Sequence, residues 1–139
     1  NVPAIAALAK AVELSKKIDK AKIKKTRDSL IKKLENLGGK LNGSRENRIY
    51  NNLHFSFDNL DAENLIEFLS INKIYASIGS ACETKKEDHI LNEIGLKNIK
   101  NSLRISLYRT LTEKEENYIV KKIQLAMKKL KVWVDKYLN

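Results

Sequence analysis

The chain has 139 residues, of which 27 are basic and 17 acidic, giving a formal net charge of +10. That length is one ordinary domain's worth, and no apolar run of about 18 residues occurs, so no transmembrane helix is expected. Its single cysteine, Cys82, excludes an internal disulfide and a zinc site built on paired cysteines, and a lone thiol fits a reducing cytoplasm.

The opening Asn1-Val2-Pro3 places no basic region ahead of an apolar one and is not a signal peptide. The absence of an initiator methionine leads us to expect a chain processed, trimmed or cut from something longer. The positive excess is compatible with an acidic partner. However, the lysines spread over several segments, and much of the excess falls at 16–33 and 121–136, both helix-like, where such runs are solvated faces. No nucleic-acid signature interleaves aromatics with them, so neither a nucleic-acid nor a membrane partner is expected.

Residues 2–37 read as one long helix with room for a bend in its middle. Pro3 is tolerated in a first turn, and Ile5, Leu8, Val12, Leu30, Leu34 and Leu37 follow helical spacing. The stretch 16–25 between them is far more polar, as in a helix bridging two bodies. Gly38-Gly39 stops it, and 40–47 reads as loop with an Asn42-Gly43 turn signal. Over 49–57 the residues alternate, with Leu53, Phe55 and Phe57 on one face and Asn52, His54 and Ser56 on the other, a half-buried strand. Asp61 caps a helix through Leu65, Ile66, Phe68 and Leu69. A short strand is expected over 74–78, a loop over 79–88, and a short helix capped by Asp88 and ended by Gly95. A further strand is expected over 103–107, and a final helix opened by the Thr112/Glu115 capping box. Together these predict an α+β fold with helices packed on a largely antiparallel sheet. The expected division is 1–37 as a long N-terminal helix and 38–139 as the α+β body.

Cys82 follows the small residues of Ile78-Gly79-Ser80-Ala81 and precedes the polar Glu83-Thr84-Lys85-Lys86. Six residues without an apolar side chain follow it, which is not the frame of a buried structural cysteine. Lys85 and Lys86 favour the thiolate, the attacking form. The reading is a reactive thiol on a loop, with an inconsequential exposed cysteine as the alternative. Arg104, in Leu103-Arg104-Ile105-Ser106-Leu107, shares a strand face with Ser106. A guanidinium on a strand can grip a carboxylate through two parallel hydrogen bonds; a surface ion pair explains this segment as well. Arg109 at the strand end reads equally as a structural anchor. His54 and His89 lack ligand spacing and read as structural or surface residues, and Trp133 and Tyr137 as packing residues or a docking edge. Gly38-Gly39 is not a phosphate-cradling loop.

Several segments in order resemble the cysteine desulfurases, a pyridoxal-phosphate family of the class V aminotransferase fold. They are Asn1-Val2-Pro3 opening a long helix, Asn52-Leu53-His54-Phe55-Ser56-Phe57, Ile78-Gly79-Ser80-Ala81-Cys82, His89-Ile90-Leu91-Asn92-Glu93-Ile94-Gly95, and Leu103-Arg104-Ile105-Ser106-Leu107-Tyr108-Arg109 followed by Thr112-Glu113. The resemblance implies the small C-terminal domain of a fold-type I enzyme, entered by a long interdomain helix, with the large cofactor-binding domain absent. It implies that L-cysteine reacts on pyridoxal 5′-phosphate held by that large domain. Cys82 as thiolate takes the sulfur as a persulfide and alanine leaves. Arg104 maps onto the arginine that binds the substrate carboxylate. The implied partners are an iron–sulfur scaffold or other sulfur acceptor, and a second subunit in the full-length homodimer. Two departures stand out: the interval between Cys82 and His89 is slightly short and lacks a proline before the histidine, and Tyr108 replaces a glycine. A selenocysteine lyase or other class V relative, and a stand-alone scaffold- or RNA-binding module, are the competing readings. The chain alone is expected to be inactive.

Overall fold

A computed structural model of the protein describes residues 1–58, 60–79, 93–96 and 99–137, the side chains of Ile99 and of residues 130–137 excepted. The helix expected over 2–37 is two helices, α1 (Val2–Ser15) and α2 (Lys20–Glu35). The break falls in the polar stretch, where Asp19 restarts the helix by accepting the Lys22 N–H at 3.0 Å. None of α1 is buried, whereas α2 buries Ile23, Thr26, Arg27, Leu30, Ile31 and Leu34.

The glycine pair after α2 has two tasks. Gly38 takes the left-handed region, with φ +86°. At Gly39 an added Cβ would stand 2.7 Å from the Phe57 ring, 2.9 Å from the Phe55 ring and 3.0 Å from the Leu34 carbonyl oxygen. The chain can therefore turn tightly against the core and enter β1 (Lys40–Leu41), a strand within the stretch expected to be loop. β2 (Asn52–Ser56) starts three residues after the expected 49 and ends one before 57, and β3 (Ser102–Ser106) is shifted by one residue from 103–107. The sheet order is β1-β2-β3, all antiparallel, with Leu41 opposite Phe55, Leu53 opposite Ile105, and His54 opposite Arg104.

Between β2 and β3 lies α3 (Ala62–Ile71), capped by Asp61, whose side chain accepts the Asn64 N–H. It ends in a Schellman turn: the Lys73 N–H donates to Ser70 and the Ile74 N–H to Leu69. Lys73 adopts φ +59° there, a left-handed conformation more usual for glycine. The turn sends 74–77 back toward β3. The strand expected over 74–78 is a single bridge, Ser77 opposite Arg104. The short helix expected from Asp88 lies mostly outside the described residues; Glu93 is its one described helical residue. His89 is outside them as well.

The last helix, α4 (Glu113–Tyr137), opens on the expected capping box. Thr112 Oγ1 accepts the Glu115 N–H, and Glu115 Oε2 accepts the Thr112 N–H at 2.8 Å. The core fills one face of the sheet. Leu53, Phe55, Leu103, Ile105 and Leu107 are buried with Leu30, Ile31 and Leu34 of α2, Leu65 and Leu69 of α3, and Ile123 and Ala126 of α4. Each of the leucine, isoleucine and phenylalanine side chains contributes about 1.5–3 kcal/mol by leaving water. A polar link sets α2 against α4: the Glu116 carboxylate accepts from Ser29 Oγ at 2.6 Å and from Lys33 Nζ at 2.7 Å. The α+β architecture with helices on an antiparallel sheet agrees with the sequence expectation. Among the described residues no helix is long and apolar enough to cross a membrane.

Candidate functional site

With helices on one face of the sheet, strand alternation sends Asn52, His54, Ser56, Ser102, Arg104 and Ser106 to the other. This face is polar yet not wholly solvated: His54, Ser56 and Ser102 are buried, and Arg104 is half-buried. The loop after β1 supports it. Asn42 donates its backbone N–H to the His54 carbonyl at 2.8 Å. The Asn42 amide nitrogen lies 3.0 Å from His54 Nδ1 and 2.9 Å from Ser56 Oγ.

That loop is itself stapled from within. Arg48 donates to the carbonyls of Ser44 at 2.7 Å and Asn42 at 2.6 Å, with a longer contact to Asn52. Burial, then the positive charges of Arg27 and Arg45, pull Arg48 below the ordinary guanidinium value, while Asp28 opposes them. The fully buried Arg27 reaches from α2 to the Ile49 carbonyl at 2.7 Å and pairs with Asp28.

The five arginines differ in how they are used. Arg27 and Arg48 staple backbone carbonyls, and Arg45 pairs with Glu35. Arg109 grips Glu115 through two nitrogens and touches the Tyr108 hydroxyl, so it is a structural anchor at the start of α4. Arg104, among the described residues, commits its guanidinium to no hydrogen bond or ion pair. Its backbone is firmly held: the Arg104 N–H donates to the Ser77 carbonyl at 2.7 Å, and the Arg104 carbonyl accepts from the Ser77 N–H at 3.0 Å. A half-buried guanidinium on a rigid strand, held by no side chain among the described residues, can seat a carboxylate in bidentate fashion.

Cys82 lies outside the described residues. Five positions separate it from Ser77, and five residues span at most about 17 Å. Sequence reading missed the support around Arg104. It left His54 as a structural or surface residue, Asn42 as a turn signal and Ser77 as a strand residue. The alternation over 52–57 did place His54 on the polar face; the missing signal was strand pairing, which only the fold supplies. A groove of about 940 Å³ lies elsewhere. It runs along the apolar side between Ile74, Ile105, Leu107, Leu111 and Ile119, and the arginine beside it, Arg109, is taken by Glu115. Its other cations, Lys73, Lys114 and Lys121, are point charges without the bidentate fork of Arg104.

A family model described as aminotransferase class-V matches residues 1–118. The chain is 34% identical over 139 residues to a protein named cysteine desulfurase IscS from Methanosarcina thermophila, covering 94% of this chain and 34% of that one. It is likewise 34% identical to a cysteine desulfurase IscS from Clostridium botulinum, covering 92% of this chain and 35% of that one. A solved structure described as a NifS-like protein superposes with a TM-score of 0.67 at 30% identity, over 78% of this chain and 28% of its own. The chain thus spans about a third of the length of the curated relatives it matches. The matched family depends in general on pyridoxal 5′-phosphate. The described residues do not suit that cofactor's phosphate. The N-terminus of each of the four described helices is already occupied by its own capping side chain, from Asn1, Asp19, Asp61 and Thr112. Motif order, sheet topology and these matches agree: the chain belongs to the aminotransferase class-V family.

Proposed function

We propose that this chain is the sulfur-accepting and substrate-carboxylate-binding portion of a cysteine desulfurase. The observation that carries the reading is the Arg104 guanidinium, uncommitted among the described residues, on the strand residue to which Ser77 is hydrogen-bonded. The relatives named cysteine desulfurase support it. L-cysteine is held through its carboxylate by Arg104. The Cys82 thiolate attacks the substrate sulfur, the bond between that sulfur and the β-carbon breaks, and its electron pair goes to the carbon, which takes a proton. Alanine leaves, and Cys82 carries a persulfide for transfer to an acceptor protein such as an iron–sulfur scaffold. Pyridoxal 5′-phosphate, held by parts of the protein beyond this chain, supplies the electron sink for such chemistry. The working enzyme is a homodimer in a reducing cytoplasm, where a persulfide survives.

The test uses the full-length protein with its cofactor. Cys82→Ser is expected to abolish sulfide and alanine release from cysteine while leaving the cofactor's absorbance in place. Full activity in that variant overturns the reading. So does a preference for selenocysteine that is indifferent to Cys82, which marks a selenocysteine lyase.

A further inference from the structure

The backbone pattern around Arg104 fixes which neighbour stands closest to it. In an antiparallel ladder each residue turns its N–H and C=O to the same side, so directly opposed pairs alternate between hydrogen-bonded and non-hydrogen-bonded kinds. Arg104 turns both groups to Ser77, and His54 turns its carbonyl to Asn42. The directly opposed pair His54 and Arg104 is therefore of the non-hydrogen-bonded kind, with Cα atoms about 4.5 Å apart and side chains at the closest approach a sheet allows. Ser77, opposite Arg104 on its other flank, sits at the wider, hydrogen-bonded spacing.

His54 is also the more tightly held of the two. It is 7% exposed, and its Nδ1 lies 3.0 Å from the Asn42 amide nitrogen. Asn42 is fixed in turn by its bonds to Ser56 and by Arg48 on its carbonyl. A planar ring, immobilised from the side away from Arg104, borders an arginine that no ion pair among the described residues fixes. An arginine side chain is rich in rotamers, and holding it in place before ligand arrives lowers the cost of binding.

We propose that His54, held by Asn42, is a positioning residue for Arg104: it walls off the rotamers that fold over β2 and keeps the guanidinium raised to receive the substrate carboxylate. This rests on the reading of Arg104 given above. Carboxylate affinity then depends on a residue that never touches the substrate.

The experiment is a double-mutant cycle in the full-length protein, combined with peptide-mapped modification by phenylglyoxal. His54→Ala is expected to raise KM for cysteine about threefold to tenfold with kcat within about twofold. Asn42→Ala should move KM the same way by less. In an Arg104→Ala background the His54 effect should vanish. Phenylglyoxal should modify Arg104 severalfold faster in His54→Ala, with Arg45 unchanged as the internal control. If His54→Ala does not fold, His54→Asn keeps a partner for Asn42 and removes the ring, with the same expectations. Equal KM effects in both backgrounds, or an unaltered Arg104 modification rate, overturn the proposal. A protein that releases no alanine from cysteine overturns the functional reading instead, and the modification rates still decide the role of His54.

Discussion

At the residue scale, two arginines five positions apart have opposite fates. Arg109 spends its guanidinium on Glu115, and that bond, with the Thr112 backbone and hydroxyl, holds the Glu115 carboxyl down to about 2 from the ordinary 4.5. Glu115 in turn pushes Arg109 above its ordinary value. A carboxyl depressed on folding contributes stability that is fully present above about pH 4.5 and lost as pH falls through about 2. Between about pH 5 and about pH 2 the wild type should lose more of its melting temperature than Glu115→Gln, which lacks the titrating group. Equal acid sensitivity in thermal melts would show that this cluster carries no linkage. The sequence distinguished the two arginines only weakly. Thr112 and Glu115 announced themselves by spacing, so the anchor role of Arg109 was within reach. That Arg104 lacks a side-chain partner among the described residues depends on where their acidic side chains point in the fold, which no local window encodes.

At the element scale, tight contacts decide where the chain turns. Gly39 admits the closest approach, between the end of α2 and the Phe55 and Phe57 rings. Gly39→Ala is expected to destabilise the chain by about 1–3 kcal/mol, the range for overpacking a core, because two aromatic rings and a carbonyl must move for one methyl group. Chemical denaturation with an unchanged m-value would register it; a change below about 0.5 kcal/mol would mean that the rings yield freely. Elements with a strong period or a cap were legible: Asp61 and Thr112 mark their helices, and the alternation over 52–57 marks β2. The rest had physical reasons to be hidden. β1 has two residues and cannot alternate. The turn that ends α3 uses Lys73 where a glycine would have flagged it. The strand expected over 74–78 pairs at one residue alone, since an apolar run does not say how far its neighbour will follow it. The break between α1 and α2 was signalled by the polar stretch, and Asp19 was the overlooked cap.

At the scale of the whole molecule, α1 stands apart. Val2, Ile5, Leu8 and Val12 recur at helical spacing, all of them more than half exposed, and α1 buries no residue. Isolated helices of about 12–15 residues are marginal in water, and α1 has 14. In residues 1–139 produced alone, the amides of α1 should exchange with little protection, while those of α2 around Leu30 and Leu34 exchange only through global opening. Equal protection of the two helices would mean that another surface covers the apolar stripe.

The bridge at Ser77 has a mechanical consequence. A strand joined to its neighbour by a full ladder behaves as a beam, since bending it anywhere breaks bonds elsewhere. The segment before Ser77 meets β3 at one residue, through two hydrogen bonds that both belong to Arg104. One bridge is a pivot. Torque arriving from the chain beyond Ser77 turns about the Arg104 peptide group instead of being spread along the sheet, and β2 on the opposite side, zipped to β3 over five registered pairs, holds that axle still.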